Sequence, residues 1–138
     1  MIAPIEIEYV CDLVTPANMR SRSHWKFTGK AKVQREGVFI RLSSASRVKP
    51  PLPVTITLTR IAPRSLDDDN LRGAFKAIRD GICDWLGLKS DNSPLLTFVY
   101  EQIKGQAALP PPHPYTPRVR VRIVSRAKAH WLRALSAH

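Results

Sequence analysis

Asp67, Asp68 and Asp69 stand in a row ahead of Asn70 and Leu71, and a further aspartate, Asp91, follows in a Ser- and Asn-containing turn. Carboxylate oxygens are hard donors. They suit Mg²⁺ or Mn²⁺, and chemistry in which such an ion activates water and clamps a phosphate. A simpler role competes with that one: Asp and Asn are favoured helix N-caps, and acids in a first turn offset the helix dipole. Capping accounts for one or two of these acids. Three in succession exceed it, because adjacent carboxylates repel and raise one another's pKa values unless a cation relieves them.

The charge of the rest of the chain sets these acids apart. The net charge is +11, from 22 Lys and Arg against 11 Asp and Glu. Residues 16–49 hold nine bases against Glu36 alone, and residues 118–138 hold six bases and no acid. Between them, residues 64–101 reverse the balance, with seven acids against five bases. A basic chain of this kind points to a polyanionic partner, nucleic acid before a membrane surface. Carboxylates inside a phosphate-binding surface would repel the ligand, unless they hold divalent cations against it.

Other chemistries find little support. His24, His113, His130 and His138 are scattered, so no Ser/His/Asp or Cys/His arrangement forms. Cys11 and Cys83 lack metal-ligand spacing and are too few for a disulfide framework, so both are expected as small buried hydrophobes in a reducing compartment. No apolar run approaches the length of a membrane helix. Met1–Glu6 shows neither the basic nor the apolar stretch of a secretory signal, and a cytoplasmic location is expected.

The elements that must position the acids are legible from periodicity. Ile5–Cys11 alternates as a half-buried strand, and residues 15–25 form a polar, basic loop. Gln34, Val38, Leu42 and Ala45 mark a helix over residues 30–47, which Pro50-Pro51-Leu52-Pro53 stops. Val54–Thr59 alternates and is β-branched, hence a strand, with residues 61–65 leaving it as a loop. Leu71, Phe75, Ile78, Ile82 and Trp85 then form one apolar stripe along a helix from about Asp68 to Leu86, with Gly87 at its C′ position. After a turn at residues 89–94, Leu95–Gln102 reads as a strand apolar on both faces and therefore central in its sheet. Residues 105–117 form a Pro-rich loop, Arg118–Ile123 alternates as a strand with a basic face, and residues 126–137 form a short basic helical tail. The class expected is α+β, or mixed α/β: one domain over residues 1–138, with about four strands and two or three helices.

Asp67-Asp68-Asp69-Asn70-Leu71 resembles the Asp-x-Asp-Asn-Leu signature of the RusA family of Holliday-junction resolvases. Its surroundings are similar in order. The strand from Val54 and its Arg64 loop precede it, and a helix ending Trp85-Leu86-Gly87 follows. Then come a turn with Asp91 and a strand ending Tyr100-Glu101-Gln102, with Lys104-Gly105 behind. The likeness covers roughly a third of the chain strongly and most of it loosely. It implies a RusA-like fold in which Asp67, Asp69 and Asp91 are catalytic Mg²⁺ ligands, with Mn²⁺ as a substitute. Asp68 is the family's variable middle position, and Asn70 either orients a ligand or caps the helix. Two departures stand out. Ser90 replaces one of the paired acids common in the family's turn, and Gly73 occupies the place of the lysine used by the family's resolvase prototype. Lys76, nearly one turn further along the same helix face, is the candidate replacement, with Arg72 a weaker one.

The resemblance implies a structure-selective endodeoxyribonuclease that resolves four-way DNA junctions as a homodimer, one metal site on each of two strands. It also implies a phage or prophage origin and a bacterial cytoplasm. Arg20, Arg22, Lys26, Lys30, Lys32, Arg64 and Arg72 are the candidate DNA contacts, and the basic strand and tail from Arg118 add more. His24 beside Trp25 is either a DNA contact or a solvated loop residue, and Glu101 either supports the ligand carboxylates or is an ordinary strand-face residue. The competing expectation is a DNA-binding protein without catalysis, which Gly73 and Ser90 favour. A nuclease acting on flaps or other branched DNA is a third reading.

Overall fold

A computed structural model describes residues 3–13, 24–104 and 116–127, with the side chains of the first helix described from Gly29 onward. In chain order the elements are β1 (Ile5–Val10), α1 (His24–Ala45), β2 (Val54–Ala62), α2 (Asp68–Ala74), α3 (Lys76–Leu86), β3 (Leu96–Lys104) and β4 (Arg118–Ser125). The strands form one mixed sheet in the order β1-β4-β2-β3. β4 is antiparallel to both neighbours, whereas β2 and β3 are parallel with Thr59 opposite Glu101. A parallel pair needs a crossover, and α2 with α3 supplies it. The fold is thus a small α+β arrangement of four strands and three helices, in the class the periodicity implies.

One sheet face is apolar and closed, the other open. Ile56, Leu58, Val119, Val121 and Ile123 are buried under Val38, Leu42, Phe75, Ile78 and Ile82 from the helices. The intervening residues, among them Glu6, Glu8, Arg122 and Glu101, form the other face in register. Strict alternation in β1 and β4 produces this division.

Several boundaries differ from expectation, each for a local reason. β2 runs to Ala62, through residues 61 and 62 expected as loop, because Ile61 and Ala62 are buried and stay paired with Ile103 and Lys104 of β3. α1 begins at His24 rather than 30, because helix propagation beyond a packed segment needs no apolar stripe. It ends at Ala45, where Ser46 turns the chain by donating its hydroxyl to the Val48 carbonyl. The single helix expected over 68–86 is two: at Phe75 (φ −89°, ψ 3°) the carbonyl of Arg72 accepts from Phe75 N–H and from the Arg79 guanidinium, so the helical ladder is diverted. β3 lies at the sheet edge rather than its centre. Val99 and Ile103, the apolar residues that suggested a central strand, lie exposed on the open face. Gly87 does end α3, in the left-handed region at φ 76°.

Residues 105–115 of the Pro-rich loop, 128–138 of the basic tail and 14–23 of the basic loop lie outside the described residues; Arg126 and Ala127 are not helical. No helix among the described residues is long and apolar enough to cross a membrane.

α1 crosses α3 at very close range. A Cβ on Gly81 would overlap the Arg35 carbonyl oxygen and the Val38 side chain, and lie 3.1 Å from the Arg35 carbonyl carbon. That approach lets Arg35 reach across α3 to Asp84 through Nε (2.6 Å) and Nη2 (2.8 Å). Gly81→Ala is therefore expected to destabilise despite the better helix propensity of Ala, because the clash is with rigid backbone. Thermal unfolding should show a loss on the order of 10 °C. An unchanged melting temperature would mean that the two helices separate without cost.

Candidate active site

β2 delivers the chain to the acids through a pinned connection. The side chain of Gln102, on β3, donates to the Leu66 carbonyl and accepts from the Leu66 N–H, each at 2.8 Å. Asp67 follows directly. Its backbone is extended (φ −69°, ψ 166°), and its Oδ1 accepts from the Asn70 N–H at 2.9 Å, so Asp67 is the N-cap of α2. Asn70 therefore contributes its backbone to the cap. Asp67, Asp68 and Asp69 are all exposed, and none has an ion-pair partner among the described residues.

Asp91 has the opposite environment. Its side chain is only 12% exposed, and its Oδ2 receives Arg79 Nε at 2.9 Å and Lys76 Nζ at 3.2 Å. Burial alone would raise its pKa, but hydrogen bonds from Arg79 and Lys76 outweigh that and hold it below the usual carboxylate range. Lys76 also meets Asp80 Oδ1 at 3.1 Å, one helical turn on. Partial burial works against its ammonium form, yet the bonds to Asp80 and Asp91 leave its pKa raised. Both groups are charged at neutral pH.

Arg79 joins the parts. Besides Asp91, it reaches the Arg72 carbonyl at the end of α2 (2.6 Å) and the Tyr100 hydroxyl on β3 (3.0 Å). Tyr100 and Gln102 share one face of β3, so that strand anchors Arg79 and Asp91 at one position and the approach to Asp67 at the next. Arg72 lies over the Tyr100 ring, its guanidinium carbon 5.7 Å from the centroid.

The expected residues thus fall into two groups, joined by a residue not among those expected. Asp67 and Asp69 share one helix entrance, Lys76 and Asp91 are in direct contact, and Arg79 links the second pair to the end of α2. Asp67, Asp69 and Asp91 do not come together as a set of ligands: among the described residues, no three His, Cys, Asp or Glu side chains form a metal-holding group. The donor chemistry of the helix entrance still fits a hard cation. It offers neighbouring, solvent-facing carboxylates, with one oxygen of Asp67 committed to the cap. Glu101 is on the opposite sheet face, where it accepts from Thr59 Oγ1 at 3.4 Å, so it does not support the other carboxylates.

Of the candidate DNA contacts, Lys30, Lys32, Arg64 and Arg72 are exposed, while Arg20, Arg22 and the side chain of Lys26 lie outside the described residues, as does that of His24. The basic face of β4 is largely neutralised. Arg118 meets Glu8 at 2.6 Å, and Arg120 meets Glu8 at 2.9 Å and Glu6 at 3.7 Å, leaving Arg122 exposed. Both thiols are pushed up to about 11, chiefly by burial, and stay protonated, which removes them as nucleophiles.

Arg79 and the roles of Tyr100 and Gln102 were not read from the sequence. A signal for Arg79 exists: it sits four residues after Phe75 and three before Ile82, at the margin of an apolar stripe, where a guanidinium must find buried partners. No protein-family model matches the chain, and no curated protein matches it.

Proposed function

We propose that this protein is a Mg²⁺-dependent, structure-selective endodeoxyribonuclease acting on branched DNA such as a four-way junction, similar to the RusA resolvases and paired as a homodimer. One observation carries the reading. In a chain with 22 basic residues, three consecutive carboxylates stand exposed at the α2 entrance with no basic partner among the described residues, whereas Asp80, Asp84, Asp91, Glu6 and Glu8 are paired and the other unpaired acids, Asp12, Glu36 and Glu101, are isolated in sequence. Adjacent carboxylates repel one another, and a bound divalent cation would relieve that repulsion.

Asp67 and Asp69 are the residues that would hold the ion, while Asp91 keeps Lys76 and Arg79 in place. The bound ion supplies an acidified water and neutralises charge on the scissile phosphate. Lys76 and Arg79 place two cations at Asp91, and Lys76, more than half exposed, can turn its ammonium to a phosphate oxygen. Lys30, Lys32, Arg64 and Arg72 supply exposed charge that positions DNA without reading its sequence.

The alternative, a DNA-binding protein without catalysis, is favoured by the pairing of Asp91 with two cations, which occupies the third carboxylate. Labelled four-way junction incubated with protein and Mg²⁺ separates the two. Symmetric nicks that vanish with EDTA are the expected result, and a mobility shift without product would leave only the binder.

A further inference from the structure

A second site lies between the end of β1 and the first half of α1, where a groove of about 540 Å³ is lined by Tyr9, Val10, Lys30, Val33, Gly37 and Arg41. We propose that this groove receives the base and phosphate of an unstacked nucleotide in a DNA strand. The proposal rests on the reading of DNA as substrate.

The geometry supplies a stacking platform. The Arg41 guanidinium carbon lies 4.1 Å from the centroid of the Tyr9 ring, and its Nη1 donates to the Gly37 carbonyl at 3.2 Å. A guanidinium tethered over a ring in this way is restrained beside the groove, where a nucleobase can stack on it with less ordering left to do. A Cβ at Gly37 would stand 3.1 Å from Arg41 Nη1, so the glycine leaves that guanidinium room to settle on the Gly37 carbonyl. Val10 and Val33 flank the groove at 63% and 70% exposure, apolar surface suited to a base face.

Charge and hydrogen bonding select the rest of the ligand. Among the described residues lining the groove, Lys30 and Arg41 are the cations and Asp12 the single acid, a net positive charge that suits one phosphate. Gln34 holds the Asp12 carbonyl at 3.2 Å and fixes that side. The Tyr9 hydroxyl is buried with no hydrogen-bond partner among the described residues, and burial pushes its pKa up, so it stays protonated under the Arg41 guanidinium. β1 and β2 run in the same direction on either side of β4, so the groove and the connection to Asp67 share one end of the sheet. The two strands themselves stand two strand spacings apart, about 10 Å, so one DNA strand can run past both ends.

The test uses the whole protein without Mg²⁺, titrated with deoxyadenosine 5′-monophosphate and followed by amide chemical shifts. Shifts confined to Tyr9–Asp12 and Gly29–Arg41 are expected, with deoxyribose 5-phosphate much weaker. Arg41→Met should weaken the nucleotide by about tenfold or more. Val33→Asp, an exposed change that leaves the fold intact, should weaken it as well by opposing the phosphate. Equal shifts from the sugar phosphate would reduce the groove to an anion site and overturn the proposal. So would shifts at α2 and α3 instead, or affinity unchanged in both variants. A Val33→Asp change in sedimentation mass, with no nucleotide shifts in the parent, would assign the groove to a second copy of this chain. Since no cleavage is read, failure of the nuclease reading leaves this outcome standing, and the reverse holds too.

Discussion

Asp69→Asn is expected to lower Mg²⁺-dependent nicking of a four-way junction by about 10³-fold, while junction affinity in the absence of cleavage stays within about threefold. A ligand carboxylate contributes to a transition state by holding the ion that neutralises the phosphate. Its loss costs about 4 kcal/mol, or about 10³ in rate. The exchange is clean structurally. Asp69 is exposed in the first turn of α2, with no ion-pair partner among the described residues, and its dipole contribution is about 0.3–1 kcal/mol. Asp67→Asn is the companion change, since Asn caps a helix nearly as well as Asp and the entrance should keep its form. Nicking rates, gel-shift affinity and thermal unfolding measured on the same preparations separate loss of chemistry from loss of fold. Nicking by Asp69→Asn at the parent rate would remove this carboxylate from the mechanism.

The elements were legible in the sequence where a single periodicity governs them. β1 and β4 alternate strictly because one face is buried and the other open, and both begin where expected; β2 begins at Val54 as expected but runs on to Ala62, through residues 61 and 62 expected as loop. The apolar stripe from Leu71 to Trp85 gave the burial of α2 and α3 correctly, but not their break. Periodicity reports which side chains face the core, whereas the break at Phe75 comes from a backbone carbonyl captured by Arg79, a contact between side chain and main chain that leaves no mark on hydropathy. The misplacement of β3 has a related cause. Apolar residues on both faces suggest burial on both faces, yet Val99 and Ile103 project from an uncovered side.

The candidate site was legible in its residue types and only partly in its geometry. The acids at 67–69 fall at a helix entrance as expected, and Lys76 does lie beside Asp91. What local spacing does not encode is the choice a carboxylate makes among nearby cations. Asp91 is 12% exposed, so a partner is obligatory, and Arg79 and Lys76 take that place. The acids at 67–69 face water, where no such demand exists. The expectation that Arg118 and Arg120 contact phosphate did not allow for β1, where Glu8 lies opposite Arg120 and also reaches Arg118 diagonally, and Glu6, opposite Arg122, leans to Arg120.

Arg79→Met should be the most destabilising of the single changes around Asp91, by about 2–3 kcal/mol at neutral pH. Methionine keeps much of the side-chain length and packing but removes the bonds to Asp91, the Tyr100 hydroxyl and the Arg72 carbonyl. Breaking a mostly buried pair leaves a carboxylate poorly solvated, and the remaining contact with the exposed Lys76 limits the loss. The pH dependence identifies the cause. Because the folded pKa of Asp91 is depressed, its pairing contributes stability above the ordinary aspartate value near 4, and that contribution disappears as pH falls through the folded value. The gap between parent and variant in denaturant unfolding should therefore be widest at neutral pH and narrow below about pH 4, where only the neutral hydrogen bonds are missing. A gap that stayed constant across this range would assign the effect to packing alone. Asp91→Asn is the complementary variant: it should lose the same acid-sensitive part while keeping the bonds of Arg79 to Tyr100 and Arg72. Combining it with Arg79→Met should then cost less than the sum of the two, because a single ion pair cannot be lost twice.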